Sequence, residues 1–182
     1  KLGDGSEPDD GIYVLLKEVI DNSIDEFMRG YGRNIEVTIK DSQVSVRDYG
    51  RGMPLGKVID CVARINTGGK FDDQAYDTAI GMNGVGVKAV NALSTMFFVS
   101  SVVNGKKKSA RFSAGEIVED FPICETDEHN GTFISFLPDD KLFENFHWYG
   151  EHVERLLWNY AYLNRRLTIN FNGKKKKKKN GL

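Results

Sequence analysis

The chain has 182 residues, of which 40% are hydrophobic and 28% charged, and this composition is typical of one globular domain with a sizeable core. No apolar run approaches the roughly 20 residues that a membrane-spanning helix needs, and the N-terminus lacks a signal-peptide pattern. The two cysteines and three histidines have no metal-ligand spacing, so we expect free, buried thiols and surface or helix-capping histidines.

The net charge of −1 hides a run of six lysines at residues 174–179. Without this run, 19 basic residues face 26 acidic ones, a net charge of −7, which argues against a broad DNA-binding surface. We interpret residues 173–182 as a solvated lysine-rich loop or tail, or as an addition to the natural sequence, with a nucleic-acid tail as the alternative. The abrupt start and stop suggest a piece of a longer protein.

Apolar residues at helical spacing predict a first helix over residues 12–28, which Gly30 to Gly32 end. Further along, the pattern predicts helices at Leu55–Asn66 and Val85–Leu93, a mobile loop at Lys70–Asn83, and a helix that carries Trp148 and Leu163. The predicted strands are Asn34–Lys40, Gln43–Arg47, 96–103, 107–114, 131–137 and Leu167–Phe171. Together these elements predict a two-layer α/β (α+β) sandwich, in which helices cover one face of a mixed, mostly antiparallel sheet.

The first helix carries a polar face formed by Glu18, Asn22 and Asp25. Such a face is commonly just solvated. The alternative is a site in which Glu18 acts as a base that activates water and Asn22 supplies an oxygen ligand for magnesium, because the i, i+4 spacing presents both to one ligand. Glu26, at the edge of the same face, can pair with Arg51.

Asp48 ends a strand immediately before the glycine-rich turn Tyr49-Gly-Arg-Gly-Met-Pro54. A carboxylate in this position can accept a hydrogen bond from an adenine amino group and reject a keto base, whereas the ordinary alternative is a simple Asp-Gly turn. The polar helix upstream favours the nucleotide interpretation.

The segment Gly81-Met-Asn-Gly-Val-Gly-Val-Lys88 leads directly into a predicted helix. Backbone N–H groups at a helix start bind phosphate, and glycines allow close approach. The spacing is neither that of a Walker A loop nor that of a Rossmann fingerprint. Lys88 is equally consistent with a surface lysine, and Thr132 with an adenine contact or an ordinary strand residue.

These motifs resemble the GHKL (Bergerat-fold) ATPases, and among them the B subunits of bacterial type IIA topoisomerases. The resemblance covers the chain to about residue 172 and is carried by Glu18–Glu26, Val44–Pro54, Thr67–Phe71, Gly84–Ser94 and Gly131-Thr132. Lys1–Gly5 and the Asp48-Tyr49 pair favour topoisomerase IV over gyrase. We therefore expect residues 1–172 to be a GHKL ATP-binding domain.

The resemblance implies Glu18 as the general base and Asn22 as the ligand of Mg²⁺. It implies that Asp48 and Thr132 bind adenine and that Glu26 and Arg51 form a salt bridge over the pocket. Val19, Val46 and Cys61 would line its apolar part. The implied ATP-binding residues are Asn22, Glu26, Asp48, Arg51, Gly52, Met53, Pro54, Ile65, Lys70, Tyr76, Gly81, Met82, Asn83, Gly84, Val85, Gly86, Val87, Thr132 and Ile134.

The sequence departs from the family pattern in three places. Gyrase has an arginine at the pocket mouth, where this chain has Ser109, with Arg111 two residues on. Gyrase members often carry a histidine four residues before the base, where this chain has Val14, so something else must orient Glu18. Asn83 stands where a histidine is common in the gyrase loop. By this resemblance, we expect the family's N-terminal arm to precede Lys1 and its transducer domain to follow Leu182.

The resemblance implies a cytoplasmic ATPase domain that binds ATP and competitive inhibitors, hydrolyses ATP weakly alone and stays monomeric. In an intact enzyme, ATP would close a dimer gate for DNA strand passage, and the A subunit would be its partner. The resemblance also implies that the protein is an antibacterial target. The alternatives are gyrase B, a chaperone or mismatch-repair ATPase, and a nucleotide sensor that does not hydrolyse ATP. A histidine kinase is disfavoured because no phosphoacceptor helix is present.

Overall fold

The structure is a computed structural model, and it describes residues 2–63 and 86–178. The helices in this part of the chain are α1 (Gly11–Met28), α2 (Val58–Val62), α3 (Gly86–Ala92) and α4 (Gly150–Leu163), with a 3-10 turn at Leu55–Lys57. The strands are β1 (Asn34–Lys40), β2 (Gln43–Asp48), β3 (Ser94–Val103), β4 (Lys106–Ser113), β5 (Glu116–Asp120), β6 (Cys124–Glu125), β7 (Gly131–Pro138), β8 (Thr168–Phe171) and β9 (Lys174–Lys177).

The strands form one sheet in the order β5-β4-β3-β7-β2-β1-β8-β9, with β6 added beside β4. Each pairing is antiparallel except that of β1 with β8. Asp41 and Ser42 adopt φ of 50° and 69° in the β1–β2 connection, the left-handed geometry that a two-residue hairpin turn requires. The sheet therefore confirms the predicted mixed, mostly antiparallel arrangement.

The core lies between the helices and one face of this sheet. Alternate residues of β1 and β2 (Ile35, Val37, Val44, Val46) are buried, and the residues between them are exposed or half-buried. The buried stripe of α1 includes Ile12, Leu16, Val19, Ile20 and Ile24, which recur at the spacing of one helix face. These patterns confirm a two-layer sandwich. Within the described residues, no helix is long and apolar enough to cross a membrane.

Some predicted elements require correction. Trp148 precedes α4 instead of lying in it, and its Nε1 donates to the Ser42 carbonyl at 2.9 Å. The second helix forms as a 3-10 turn followed by α2, and residues beyond 63 in that prediction lie outside the described part. β5 and β6 were not predicted because their side chains are nearly all exposed and lack a two-residue alternation. Cys61 is half-buried and Cys124 exposed, so the expectation of a buried thiol is wrong for Cys124.

The lysine run, predicted to be a solvated loop, instead contains strand β9. It pairs with β8 so that Lys176 lies opposite Ile169 and faces the helix layer. Lys176 is only 2% exposed, and its Nζ lies 2.7 Å from Glu154 Oε2 on α4. The same amine lies 5.7 Å from the ring of Trp158 and 5.5 Å from that of Phe171. An ion pair and two aromatic faces thus allow one lysine of the run to be buried.

This arrangement predicts unequal effects of removing the two partners. Glu154→Ala should lower the free energy of unfolding by about 2 kcal/mol, because it leaves a buried ammonium without its counter-charge. Lys176→Met should cost less than half as much, since an apolar chain suits the two rings. Chemical denaturation of both variants, with exposed Lys175→Met as the control, measures the difference. Equal losses for Glu154→Ala and Lys175→Met would contradict the assigned pairing.

Candidate functional site

A cavity of about 510 Å³ opens between α1, the strand ends of β2 and β7, and the start of α3. Its apolar wall includes Val19, Val46 and Ile134, and its polar groups include Asn22 and Asp48. Among the described residues, the lining consists of Val19, Asn22, Ser23, Glu26, Val46, Asp48, Gly52, Met53, Lys57, Asp60, Cys61, Val87, Lys88, Thr132 and Ile134. A concave, largely apolar site with a few convergent polar groups is what small-molecule ligands require.

The Asp48 carboxylate is the most buried charged group of this cavity, with 7% of the residue exposed. Its Oδ1 accepts hydrogen bonds from the Gly50 N–H at 3.0 Å and the Thr132 N–H at 3.3 Å. Its Oδ2 accepts from the Ser23 hydroxyl at 2.9 Å. Burial raises the pKa of Asp48, while these three hydrogen bonds oppose the shift. The result is a fixed, desolvated acceptor.

The turn after β2 requires a glycine at position 52. Gly52 has φ of 79°, and a Cβ there would lie 2.6 Å from the Val102 carbonyl oxygen. Its neighbour Met53 is bound through both backbone groups, since the Ser101 hydroxyl accepts from its N–H and donates to its carbonyl, each at 2.8 Å. The turn is therefore fixed against β3, and it holds Met53 along the cavity wall.

Glu26 and Arg51 form an ion pair at the mouth of the cavity. Glu26 accepts three hydrogen bonds from Arg51, with the backbone N–H at 3.0 Å, Nε at 3.2 Å and a terminal nitrogen at 2.8 Å. The guanidinium lies 4.4 Å above the Tyr31 ring. Glu26 lines the cavity, whereas Arg51 lies outside the lining and packs on Tyr31.

Glu18 lies one helical turn before Asn22 and is half-buried against the start of α3. A Cβ on Gly86 would lie 1.9 Å from Glu18 Oε2, so any larger residue there would displace the end of the Glu18 side chain. Burial raises the pKa of Glu18, and the nearby charge of Asp21 raises it further. Asp21 is itself held by the Tyr160 hydroxyl, which donates to Oδ1 at 2.5 Å. A carboxylate with a raised pKa is suited to accept a proton near neutral pH.

A family model described as histidine kinase-, DNA gyrase B- and HSP90-like ATPase matches residues 8–141. The chain belongs to this ATPase family. The match covers α1, the turn after β2, the start of α3 and the Thr132 strand, which are the elements that build the cavity. The predicted Bergerat-fold ATPase domain is confirmed.

The relatives of this ATPase domain include the B subunits of type II topoisomerases. The B subunit of DNA topoisomerase 4 from Borreliella burgdorferi is 50% identical over 182 residues, which are 100% of this chain and 30% of that protein. The B subunit of DNA gyrase from Campylobacter jejuni is 35% identical over 170 residues, 88% of this chain and 22% of that protein. The chain thus spans less than a third of the length of these relatives, and the predicted similarity to both kinds of protein is confirmed.

A solved structure has the same fold as this ATPase domain. The 43K ATPase domain of Thermus thermophilus gyrase B, in complex with an aminocoumarin, aligns with a TM-score of 0.74 at 28% sequence identity. The alignment covers 96% of this chain and 46% of that chain.

The structure brings most of the described predicted site residues together. Asn22, Glu26, Asp48, Gly52, Met53, Val87, Thr132 and Ile134 all line the cavity. Glu18 and Gly86 contact each other beside it, while Arg51 and the exposed Pro54 lie outside the lining. The remaining predicted residues lie outside the described part of the chain, namely Ile65, Lys70, Tyr76, Gly81, Met82, Asn83, Gly84 and Val85.

Sequence reasoning missed four lining residues. Ser23, Lys57, Asp60 and Lys88 also line the cavity. Ser23 directly follows Asn22 on α1, but its role depends on a 2.9 Å contact with Asp48, 25 residues away, which no local pattern reveals. Lys88 lies on the helix that follows the glycine-rich segment, so its position was a usable signal.

The environment of Asp48 predicts how stability varies with pH. Because the pKa of Asp48 is raised by burial, the folded state holds a proton there more tightly than the unfolded chain does. The stability that this proton contributes is complete below the unfolded value near 3.8 and is lost as pH rises through the folded pKa. An asparagine mimics the protonated form: its amide oxygen can accept from Gly50 and Thr132, and its NH₂ can donate to Ser23.

We therefore expect Asp48→Asn to melt at or above the wild-type temperature at pH 7, with the difference shrinking towards pH 4. Thermal melts across this pH range, with exposed Asp127→Asn as the control for loss of one charge, test the expectation. A large destabilisation by Asp48→Asn at pH 7 would show that the carboxylate supports the fold instead of costing it stability.

Proposed function

We propose that this domain binds ATP with Mg²⁺ and hydrolyses it, with the adenine held by Asp48. The observation that carries the proposal is the buried Asp48 carboxylate on the cavity wall. Three hydrogen-bond donors of the protein fix its orientation, and its oxygens can still accept a hydrogen bond from a ligand. An adenine amino group is such a donor, and a keto group in its place is not.

The residues present suit a magnesium nucleotide. No cluster of three or more His, Cys, Asp or Glu side chains that would hold a metal by itself occurs in the described part of the chain. Mg²⁺ commonly binds through one or two protein oxygens together with substrate phosphates. Asn22 supplies such an oxygen on the cavity wall, and Lys88 supplies a cation in the same lining. Mg²⁺ would neutralise phosphate charge when bound.

Glu18 is the proposed general base. Its half-buried carboxylate has a raised pKa and lies one turn before the proposed metal ligand, so it can accept the proton of an attacking water. Val14, at the position where gyrase members often have a histidine, is 37% exposed and offers no hydrogen bond. Among the described residues, Glu18 packs against Gly86 and lies near the charge of Asp21.

For the whole protein we propose topoisomerase IV activity, in which ATP binding and hydrolysis by this polypeptide close and reset a dimer gate during DNA strand passage. The named relatives support this proposal, and gyrase B is the alternative. The proposal includes a topoisomerase A subunit, DNA and a second copy of the protein as partners, in the cytoplasm. Residues 1–172 would form the ATPase domain, monomeric and weakly active alone, and would bind competitive inhibitors.

The adenine assignment is tested by nucleotide binding. Asp48→Asn should weaken ATP binding by about 100-fold, because its NH₂ would face the adenine amino group. It should also narrow the preference for ATP over inosine triphosphate, which carries a keto group at the same ring position. Calorimetry in Mg²⁺ measures both affinities, with Asp127→Asn as the control. An unchanged ATP affinity for Asp48→Asn would place the adenine elsewhere.

The base assignment is tested by hydrolysis. Glu18→Gln should bind ATP within about threefold of wild type but lower the single-turnover rate by about 100-fold or more, because the amide cannot accept the water's proton. Asp25→Asn, on the same face of α1 but outside the cavity lining, is the matched control. If both variants hydrolyse ATP at the wild-type rate, Glu18 is not the base. If ATP binds but Glu18→Gln and wild type hydrolyse equally slowly, a nucleotide sensor is the better description.

A further inference from the structure

A cluster of cations lies at one edge of the sheet, in a segment of the sequence that contains no acidic residue. Residues 164–178 contain seven Arg or Lys residues and no Asp or Glu. Lys176 is buried against Glu154, and the others are exposed or half-buried, namely Arg165, Arg166, Lys174, Lys175, Lys177 and Lys178. We call residues 164–178 the basic hairpin. No ion pair of these six cations occurs among the described residues.

The strand register concentrates these charges. Thr168 lies opposite Lys177 on one side and beside Asn34 on the other. The Thr168 N–H donates to the Arg33 carbonyl at 2.8 Å, which brings a further exposed arginine to the same corner. Three neighbouring strands span about 10 Å, so the backbones at Arg33, the Arg165–Arg166 turn and Lys177 lie close together at one corner of the sheet. Lys175 and Lys177 alternate with the buried Lys176 and so lie on the open face of the sheet.

The hairpin also borders a groove of about 840 Å³ on that open face, with Lys175, Thr168 and Asn170 among its lining residues. Two acidic residues line the groove: Glu36 accepts a hydrogen bond from the neutral Tyr49 hydroxyl at 2.8 Å, and Glu128 forms an ion pair with Lys107 at 2.6 Å. The cationic strip follows the hairpin and the rim of the groove, and the acidic Glu36 lies on the same face, opposite Asn170 and two strands from Lys175.

Protection of a sheet edge does not account for this cluster. Lysines on an edge strand prevent pairing with other chains, and this explains cations on β9. It does not explain Arg165 and Arg166, which lie in the turn before β8, or Arg33 at the start of β1. Arginine binds phosphate through a planar pair of donors, and the combination of arginines with a lysine strip matches a phosphate backbone.

We propose that the basic hairpin, with Arg33, is a contact surface for the phosphate backbone of duplex DNA. The choice of DNA among polyanions rests on the proposed function of the whole protein, whereas the surface itself is independent of the ATP site. The interaction is local, so it agrees with an acidic body that lacks a broad DNA-binding face. Contacts of this kind position DNA without reading its sequence.

The test uses anisotropy of a short labelled DNA duplex, without nucleotide, between about 50 and 200 mM salt. Wild type should bind with a dissociation constant of about 10⁻⁴ to 10⁻⁶ M and a log–log salt slope of about −4, as expected for four or five phosphate contacts. The triple variant Arg165→Gln/Lys175→Gln/Lys177→Gln should bind at least tenfold more weakly and lose about two to three units of that slope.

The control triple, Lys40→Gln/Lys106→Gln/Lys141→Gln, removes the same charge from exposed positions outside the hairpin and should bind DNA within about threefold of wild type. Equal weakening by the two triples, or no DNA binding by wild type at the lowest salt, would overturn the proposal. Tighter binding to polyglutamate or to anionic lipid vesicles than to DNA would also overturn it.

Calorimetry with ATP on the same proteins separates this inference from the proposed function. The hairpin triple should bind ATP as wild type does, because its three positions lie outside the cavity lining. If wild type does not bind ATP, the proposed function is refuted but the DNA-binding surface is not. If the hairpin triple binds DNA as tightly as wild type does, the surface is refuted but the proposed function is not.

Discussion

The buried carboxylate of Asp48 is the constraint on which the architecture of the site depends. It joins three elements that are distant in sequence, since its donors come from α1 at Ser23, from the turn at Gly50 and from β7 at Thr132. A buried charge without such donors would be strongly unfavourable, so these elements must meet in this arrangement. Gly131 adopts φ of 146°, and a Cβ there would lie 2.1 Å from the Asp48 carbonyl oxygen. The chain therefore closes around Asp48 only with glycine at that position.

The parts of the fold that the sequence predicts well are those with local causes. The apolar stripe of α1 repeats with the period of a helix, and the alternation in β1 and β2 repeats with the period of a strand. These patterns correctly predict the elements on two sides of the site. Asp48 was predictable because a carboxylate before a glycine turn is a local pattern. Ser23 was not, because its role exists only once α1 lies across the end of β2. The same reason hides β9, where lysine composition indicates a loop until α4 supplies Glu154 and Trp158.

Asp48, proposed to bind adenine, and Glu18, the proposed base, both have a pKa raised by burial, but their other neighbours act in opposite directions. Asp48 receives three hydrogen bonds that favour its charged form and oppose the effect of its burial. For Glu18, by contrast, the neighbouring charge of Asp21 adds to the effect of burial. The first environment fixes the orientation of an acceptor, which suits recognition. The second makes a carboxylate a better proton acceptor, which suits chemistry.

Helix α4 connects the two surfaces to which function is assigned. At Tyr160 it donates to Asp21, the residue whose charge acts on Glu18, and at Glu154 and Trp158 it holds Lys176 within the basic hairpin. The Tyr160 hydroxyl is itself shielded from water, and burial together with Asp21 raises its pKa, so it remains a donor throughout the physiological range. Residues only two to six positions apart on one helix thus contact Asp21, the neighbour of the proposed base, and Lys176, on the strand that bears the exposed lysines. A displacement of α4 would therefore disturb both Asp21 and Lys176. The contacts of Lys176 with α4 also give a physical reason for the lysine run to form an ordered strand.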